Sequence, residues 1–138
     1  MKCAILCLLI SFIIVEAGDC GGNCLNGSCL SCLCGKVKNM VNVQEICKRY
    51  SWNQDCCVCI ANALSGGNAN AIKYYEDGSY EVGVFQINQI HWRSCGGRRA
   101  PCDPEANVAC AIGIYKGAAN RWRPWSSPAA KCGCHKWF

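Results

Sequence analysis

The segment EVGVFQINQIHW concentrates side chains that can act on a polar ligand. Glu81 supplies a carboxylate and His91 an imidazole, and both groups take part in proton transfer in enzymes. Gln86 and Asn88 add amides that donate and accept hydrogen bonds, and Trp92 adds an aromatic face. Glu81 fits equally well as a solvated carboxylate on an alternating strand, so residue types alone define no reaction.

A β-hairpin is predicted to position this segment. The run IKYYEDGSYEVGVFQI has two β-prone arms around Asp77-Gly78, a dipeptide that tight hairpin turns favour. Glu76 and Asp77 are then expected at the hairpin tip, away from Glu81.

Helical patterns occur in three further segments. The first, NVQEICKRYS, has apolar residues at spacings of three and four. The second, NQDCCVCIANAL, starts at a cap, Asn53 or Asp55, and ends after Leu64, where SGGN breaks it. The third, CDPEANVACAIGIYKGAAN, starts with Asp103 as cap and Pro104 at the first helical position. The order helix, helix, hairpin, helix predicts an α+β fold that is mainly helical, with a small hairpin sheet.

The first 17 residues, MKCAILCLLISFIIVEA, have the pattern of a secretory signal peptide. Their apolar run is shorter than the roughly 20 residues that span a bilayer, and no other stretch is apolar for as long. We therefore expect no transmembrane segment. The protein is expected to be secreted, or held in a secretory-pathway compartment such as a lysosome or phagosome.

The chain after the leader is dense in cysteine. Removing Cys3 and Cys7 with the leader leaves 14 of the 16 cysteines. In a small exported chain this density predicts disulfides, whose connectivity the sequence leaves open. Adjacent Cys56 and Cys57 are expected to bond to different partners. The predicted disulfide cysteines are Cys20, Cys24, Cys29, Cys32, Cys34, Cys47, Cys56, Cys57, Cys59, Cys95, Cys102, Cys110, Cys132 and Cys134.

A zinc site is the alternative for part of this cysteine set. The run CLSCLC contains the C-x-x-C spacing of a zinc half-site. The only histidines, His91 and His135, are distant in sequence, and export favours disulfides, so we expect no metal and no other cofactor.

Two regions follow the leader. Residues 18–38 are rich in Cys, Gly and Asn, and are predicted to be an irregular segment that braces residues 39–138, a single domain. Asn26, in Asn-Gly-Ser, is a candidate N-glycosylation site.

The net charge of +5 is moderately basic. It favours anionic partners such as bacterial surfaces, although a charge that serves only solubility is the alternative. GGRRAP is too short for a basic run of the nucleic-acid-binding type, so we expect no nucleic-acid partner. The protein is expected to be a monomer.

Four motifs, taken in order, resemble the lysozyme superfamily: SGGNANA, a hairpin leading to GVFQIN, ANVACA, and a Trp-x-x-Trp pair. GVFQIN is most similar to animal C-type lysozymes and alpha-lactalbumin. SGGNANA is more similar to lytic transglycosylases and their eukaryotic lysozyme-like relatives. The resemblance covers about residues 43–125 and implies a lysozyme-like fold, while the Cys-rich start and the CGCHKWF end do not match the animal enzymes.

The resemblance also implies a pair of acidic groups, one of which this chain lacks. Glycoside hydrolysis uses a carboxylic acid that donates a proton and a carboxylate that stabilises or captures the sugar cation, a division of labour well known for lysozyme. The acid of the resembling enzymes lies five residues after a cysteine, which is Cys59 here, and the matching residue is Leu64. The second carboxylate matches Glu81. Loss of a positioned general acid lowers a rate by about 10²–10⁴-fold.

The resemblance further implies the walls of a cleft that binds N-acetylated glycans. Asn88 would offer its backbone or amide to an N-acetyl group, since amides recognise acetamido groups while aromatic faces stack on sugar C–H surfaces. Core packing is the alternative for Trp122 and the expectation for Trp125. The implied wall residues are Gln86, Asn88, His91, Trp92 and Trp122.

Three functions are consistent with the sequence. The first is a protein that binds bacterial peptidoglycan or a related N-acetylated glycan with hydrolysis lost or reduced, for which alpha-lactalbumin is a non-hydrolytic precedent. The second is an active muramidase in antibacterial defence or bacterial digestion, with Glu81 or another acid supplying the chemistry. The third is a cationic, disulfide-rich antimicrobial module.

Overall fold

The computed structural model describes residues 18–134, so the predicted signal peptide, residues 1–17, and His135 lie outside the described residues. The helices in this part are α1 (Val43–Cys47), α2 (Gln54–Ser65), α3 (Trp92–Gly96), α4 (Pro104–Gly117) and α5 (Ser126–Lys131). The strands are β1 (Ile72–Tyr74), β2 (Tyr80–Val82) and β3 (Ile87–Asn88), in one antiparallel sheet of order β1-β2-β3. The predicted α+β, mainly helical class is confirmed.

Helix α2 forms where the second helical pattern predicts it. Asn53 Oδ1 accepts a hydrogen bond from the backbone N–H of Cys56 at 2.8 Å, so Asn53 is the N-cap. The helix ends at Gly66, whose φ of 62° lies in the left-handed region that glycine adopts without strain. The buried face consists of Cys56, Cys57, Ile60, Ala61 and Ser65.

Helix α4 confirms the third pattern and its cap. Asp103 accepts a hydrogen bond from the N–H of Ala106 at 3.0 Å, and Pro104 occupies the first helical position. The helix packs Val108, Cys110, Ala111, Ile112 and Tyr115 into the core.

Helix α1 is shorter than the first pattern predicts, because the chain leaves the helix to bury Trp52. The helix ends at Cys47, whose carbonyl accepts a hydrogen bond from Trp52 Nε1 at 2.9 Å. Trp52 is 5% exposed. The short helices α3 and α5 have no counterpart among the predicted helices.

An aromatic cluster joins the separate parts of the main core. The ring centroid of Trp52 lies 5.3 Å from those of Phe85 and Trp122, and 5.8 Å from that of Tyr115. Trp122 also contacts Trp125, with ring centroids 5.8 Å apart. Because such rings bury large apolar areas, this cluster fixes α4 and the Trp-rich tail against the turn that precedes β3.

The predicted hairpin forms around Asp77-Gly78. Asp77 Oδ1 accepts a hydrogen bond from the N–H of Ser79 at 2.8 Å. Residues 23–26 then pair along the outer edge of β1: the N–H of Leu25 donates to Ile72 O at 2.8 Å, and Asn26 Nδ2 donates to Tyr74 O at 2.8 Å. The N-terminal segment therefore covers the open edge of the sheet.

Asn68, in the SGGNANA motif, connects the N-terminal segment to the rest of the fold. Its Nδ2 donates to Asn23 Oδ1 at 2.8 Å, and its Oδ1 accepts from the backbone N–H groups of Asn39 and Asn70 at 3.1 Å. The division into residues 18–38 and 39–138 stays a prediction.

All 14 cysteines of residues 18–134 form disulfides, which confirms the predicted set. Adjacent Cys56 and Cys57 bond to different partners, as expected. The pairs are Cys20–Cys32, Cys24–Cys29, Cys34–Cys102, Cys47–Cys57, Cys56–Cys134, Cys59–Cys132 and Cys95–Cys110.

Candidate functional site

A cleft of about 570 Å³ lies between the end of α2 and the sheet. Its walls come from α2, all three strands, α4 and residues 124–131, and Leu25 and Asn26 contribute from the segment that covers β1. A second groove, along α3 and α4, shares His91, Ile114 and Pro124 with this cleft. The two depressions therefore adjoin, as a site for an extended ligand requires.

A row of three polar residues crosses the sheet within the cleft. Glu81 on β2 lies opposite Lys73 on β1 and opposite Asn88 on β3. Directly opposed residues share one face of a sheet, and all three line the cleft. The alternating row on the other face is buried and consists of Ile72, Val82 and Ile87.

Tyr75 contacts the carboxylate at the centre of this row. Its phenolic oxygen donates a hydrogen bond to Glu81 Oε2 at 2.9 Å, and Lys73 Nζ lies 5.1 Å from the centroid of its ring. Burial and the hydrogen bond to Glu81 raise the pKa of Tyr75, while Lys73 opposes that shift. The phenol therefore keeps its proton at neutral pH and remains a donor to Glu81.

Leu64 occupies the last turn of α2 and lines the same cleft as Glu81. It is half-buried and packs against the main core. The next residue, Ser65, donates a hydrogen bond from its hydroxyl to Val84 O at 2.8 Å, which fixes the helix end against the turn before β3. Leu64, which the resemblance matches to the acid, is therefore an apolar residue of the cleft wall.

Glu81 is the only carboxylate that lines the cleft among residues 18–134. Glu76 and Asp77 lie in the exposed hairpin turn, as expected, and do not reach it. Lys73 and Lys131 line the cleft as cations. The wall therefore carries one carboxylate side chain and two lysine side chains.

Gln86 combines a structural role with an unused acceptor. Its Nε2 donates to Ala71 O at 3.1 Å and to Gly83 O at 2.9 Å. Its Oε1 is buried and has no hydrogen-bond partner in the described part of the chain. Since both carbonyls require a donor, the amide orientation is fixed. Gln86 also lines the cleft.

Asn88 and His91, two of the predicted wall residues, also line the cleft. Asn88 Oδ1 accepts a hydrogen bond from the N–H of Ile90 at 3.1 Å and caps the short helical turn that carries His91. Trp92 lies elsewhere: it is half-buried, packs against the apolar clusters and donates from Nε1 to Ile87 O at 3.0 Å. Its contacts hold β3 in place.

The structure buries both tail tryptophans in the core and brings only one of them, Trp125, to the cleft. Trp122, expected on the wall, is 0% exposed and stacks on Trp52 in the core. Trp125 packs in the core as expected, with 6% exposure, and it also lines the cleft, while its Nε1 donates to Phe85 O at 2.9 Å. The aromatic cluster surrounds Trp122, whereas Trp125 lies at the end of the cluster, where the chain turns into α5 beside the cleft.

Asn107 is a site-positioning residue that the sequence analysis does not identify. It is 0% exposed, accepts a hydrogen bond from the N–H of Phe85 at 2.9 Å and donates to Val82 O at 2.9 Å. These bonds hold both ends of the turn between Glu81 and Gln86. A polar residue inside the apolar run ANVACA is the signal that could have identified it.

Metal ligation finds no support within residues 18–134, which contain no group of three or more His, Cys, Asp or Glu side chains placed to hold an ion. The cysteines of CLSCLC, the zinc alternative, are all in disulfides.

A helix end that faces a small antiparallel sheet across an open cleft is the architecture of lysozyme-like proteins. The model of the family described as "Lysozyme like domain" matches residues 51–127, more than half of the chain. The chain belongs to this family. It is also similar to a protein named lysozyme C from Takifugu rubripes, with 39% identity over 54 residues. That match covers 39% of this chain and 36% of the relative, so it spans about a third of the relative's length.

No helix in residues 18–134 has both the length and the apolar character needed to cross a membrane.

Proposed function

We propose that this lysozyme-family protein binds bacterial peptidoglycan or a related N-acetylated glycan in the cleft without cleaving it. The observation that carries the proposal is that, among the described residues, the cleft is lined by one carboxylate, Glu81. The resemblance matches the acid of the related enzymes to Leu64, which lines the same cleft. The dense disulfides and the predicted signal peptide support action outside the cell or within a secretory compartment.

Hydrolysis requires a group that delivers a proton to the glycosidic oxygen. Leu64 has no proton to give, and Tyr75 is a poor substitute because its raised pKa keeps its proton firmly bound. General acids work best with a pKa near the operating pH. Glu81 alone supplies at most one of the two acidic roles that glycoside hydrolysis uses.

The remaining cleft suits glycan binding. Its volume of about 570 Å³ lies within the range of about 300–1,000 Å³ typical of ligand sites. The amide of Asn88, on the same wall, can hydrogen-bond an acetamido group. Trp125, which is 6% exposed, adds a small apolar surface for sugar C–H groups.

The charge of the cleft favours acidic glycans and wall surfaces as partners. Lys73 and Lys131 outnumber Glu81 on its walls, and the whole chain carries a net charge of +5. Positive surfaces concentrate anionic ligands near the site.

Turbidity of bacterial cell-wall suspensions tests the proposal, with wild type compared against Leu64→Glu and the matched control Leu64→Gln. Glutamine reproduces the shape and polarity of glutamate without its acid. We expect wild type and Leu64→Gln to clear the walls very slowly or not at all. Leu64→Glu should clear them at least about 10²-fold faster than either. Clearing by wild type at the rate of Leu64→Glu would show an active muramidase instead.

A second measurement separates cleft binding from simple charge attraction. Soluble chitin oligomers are titrated against tryptophan fluorescence, and wall pull-down is repeated at increasing salt. Binding through the cleft predicts a saturable fluorescence change and pull-down that persists in salt. A cationic module would give no fluorescence response and would lose pull-down steeply as salt screens its charges.

A further inference from the structure

The candidate glycosylation site lies at the cleft itself. Asn26 is exposed, lines the cleft, and is followed by Gly27 and Ser28, which complete the sequon. Its Nδ2 atom lies 2.8 Å from Tyr74 O, at the outer edge of β1. Nδ2 is the atom to which an N-linked glycan is attached, so the attachment point borders the cleft.

Three interactions hold the segment that carries Asn26 in place. The Cys24–Cys29 disulfide closes a loop around the sequon. The N–H of Leu25 donates to Ile72 O at 2.8 Å, and the Asn26 side chain bonds to the same strand. A glycan on Asn26 would therefore start from a fixed point beside Lys73 and Tyr75.

We infer that Asn26 carries an N-linked glycan whose first sugars occupy the β1 side of the cleft and compete with free glycan. An N-linked glycan begins with a β-linked N-acetylglucosamine disaccharide, which is the ligand class of the proposed function, on which this inference rests. The row Lys73, Glu81 and Asn88 begins on β1, the strand next to Asn26, and spans two strand spacings, about 10 Å. The attached sugars would therefore occupy the space beside Tyr75 and this polar row, and an external ligand would have to displace them.

The modification requires a lipid-linked oligosaccharide pyrophosphate as donor in the secretory pathway. The bond between Asn26 Nδ2 and the first sugar carbon forms as the bond from that carbon to the pyrophosphate oxygen breaks. One amide proton is lost, and the lipid pyrophosphate leaves with the electron pair.

The test uses protein secreted from a eukaryotic cell line, with Asn26 occupancy measured by mass spectrometry of the glycopeptide. Ser28→Ala removes the sequon but keeps the Asn26 side chain and its bond to Tyr74. The control Ser28→Ala/Gln44→Thr moves an equivalent glycan to Asn42, an exposed cap of α1 outside the cleft. Chitin-oligomer affinity is then measured for all three proteins.

A tethered ligand acts at an effective concentration in the millimolar range. We therefore expect the wild-type glycoprotein to bind oligomers roughly three- to tenfold more weakly than Ser28→Ala, and the Asn42-linked control to bind like Ser28→Ala. Unmodified Asn26 in the secreted protein, or equal affinity in all three proteins, would overturn the inference and leave the proposed function intact.

Nuclear Overhauser contacts give a readout that does not depend on binding of free sugar. Contacts between the acetamido methyl groups of the attached glycan and the ring of Tyr75 are expected in the wild-type glycoprotein. If Ser28→Ala binds no oligomer, the proposed function fails, and these contacts alone decide whether the glycan occupies the cleft. Their absence would overturn the inference in that case as well.

Discussion

The phenolic oxygen of Tyr75 donates a hydrogen bond to Glu81 Oε2 at 2.9 Å, so the one carboxylate of the described cleft is held by a neighbouring side chain of the hairpin. Tyr75 follows β1, and Glu81 lies in the middle of β2. The bond orients the carboxylate within the polar row of the sheet. It also links the ionisation of Tyr75 to the stability of the site.

The linkage predicts an alkaline loss of stability that Tyr75→Phe reduces. Burial, followed by the hydrogen bond to Glu81, raises the pKa of Tyr75 above its ordinary value of 10.0. Well below pH 10.0 the phenol is neutral in both folded and unfolded chains, and its stabilising effect is fully present. Above that pH the unfolded chain ionises first, so the free energy of unfolding falls until the folded-state pKa is passed.

Denaturant unfolding at stepped alkaline pH measures this effect, with Tyr115→Phe as the comparison. Burial raises the pKa of Tyr115 as well, but it lies in the core and makes no bond to Glu81. Each phenylalanine variant should lose stability less steeply with pH than wild type. Identical slopes for wild type and Tyr75→Phe would contradict the prediction.

Tryptophan fluorescence should distinguish the two tail tryptophans. Both are buried, but Trp125, at 6% exposure, lines the cleft, whereas Trp122, at 0%, does not. We expect Trp125→Phe to remove most of the fluorescence change that chitin oligomers cause, and Trp122→Phe to retain it. A retained signal in Trp125→Phe together with a lost signal in Trp122→Phe would return the wall role to Trp122.

The contrast between these tryptophans illustrates what the sequence can predict. The caps at Asn53 and Asp103 and the Asp-Gly turn are local signals, and the elements they predict form as expected. Which tryptophan lines the cleft depends on the packing of Trp122 against Trp52, a contact between residues 70 positions apart. The hydrophobic periodicity of the sequence does not predict such a contact.

The same limit applies to the polar residues of the site. The resemblance of GVFQIN and its flanking residues to lysozymes predicts Glu81 and Asn88 as site residues. The strand register places them side by side. Asn107 acts from another helix through bonds to Val82 and Phe85. Its role follows only from the tertiary arrangement.

The two cleft lysines should select ligands that carry carboxylates. We expect Lys73→Gln and Lys131→Gln each to weaken binding of muramic-acid-containing fragments by up to about fivefold, corresponding to the 0.2–1 kcal/mol of an exposed charge pair. Binding of neutral chitin oligomers should change little. Lys116→Gln, on the exposed face of α4 outside the cleft, is the matched control. Calorimetric titration at two salt concentrations checks this, since equal losses for both ligands would refute charge selection.

The turn between Glu81 and Gln86 depends on glycine at position 83. Gly83 has φ 80°, and an added Cβ would overlap the buried amide of Asn107, whose Cγ would lie 2.6 Å away. The left-handed backbone costs a side chain roughly 1–2 kcal/mol, and overpacking adds roughly 1–3 kcal/mol. Gly83→Ala is therefore expected to lower the free energy of unfolding by about 2–5 kcal/mol.

Gly78→Ala separates the two contributions, because Gly78 has a similar φ of 84° but no atom within 4 Å of an added Cβ. Gly78→Ala should lower the free energy of unfolding only by the backbone contribution, about 1–2 kcal/mol. Because Asn107 holds both ends of the turn that carries Gln86, only Gly83→Ala should also weaken oligomer binding. Equal losses of unfolding free energy in the two variants would mean that Asn107 moves to accommodate the added methyl group. Unchanged oligomer binding by Gly83→Ala would mean that the turn does not fix the cleft.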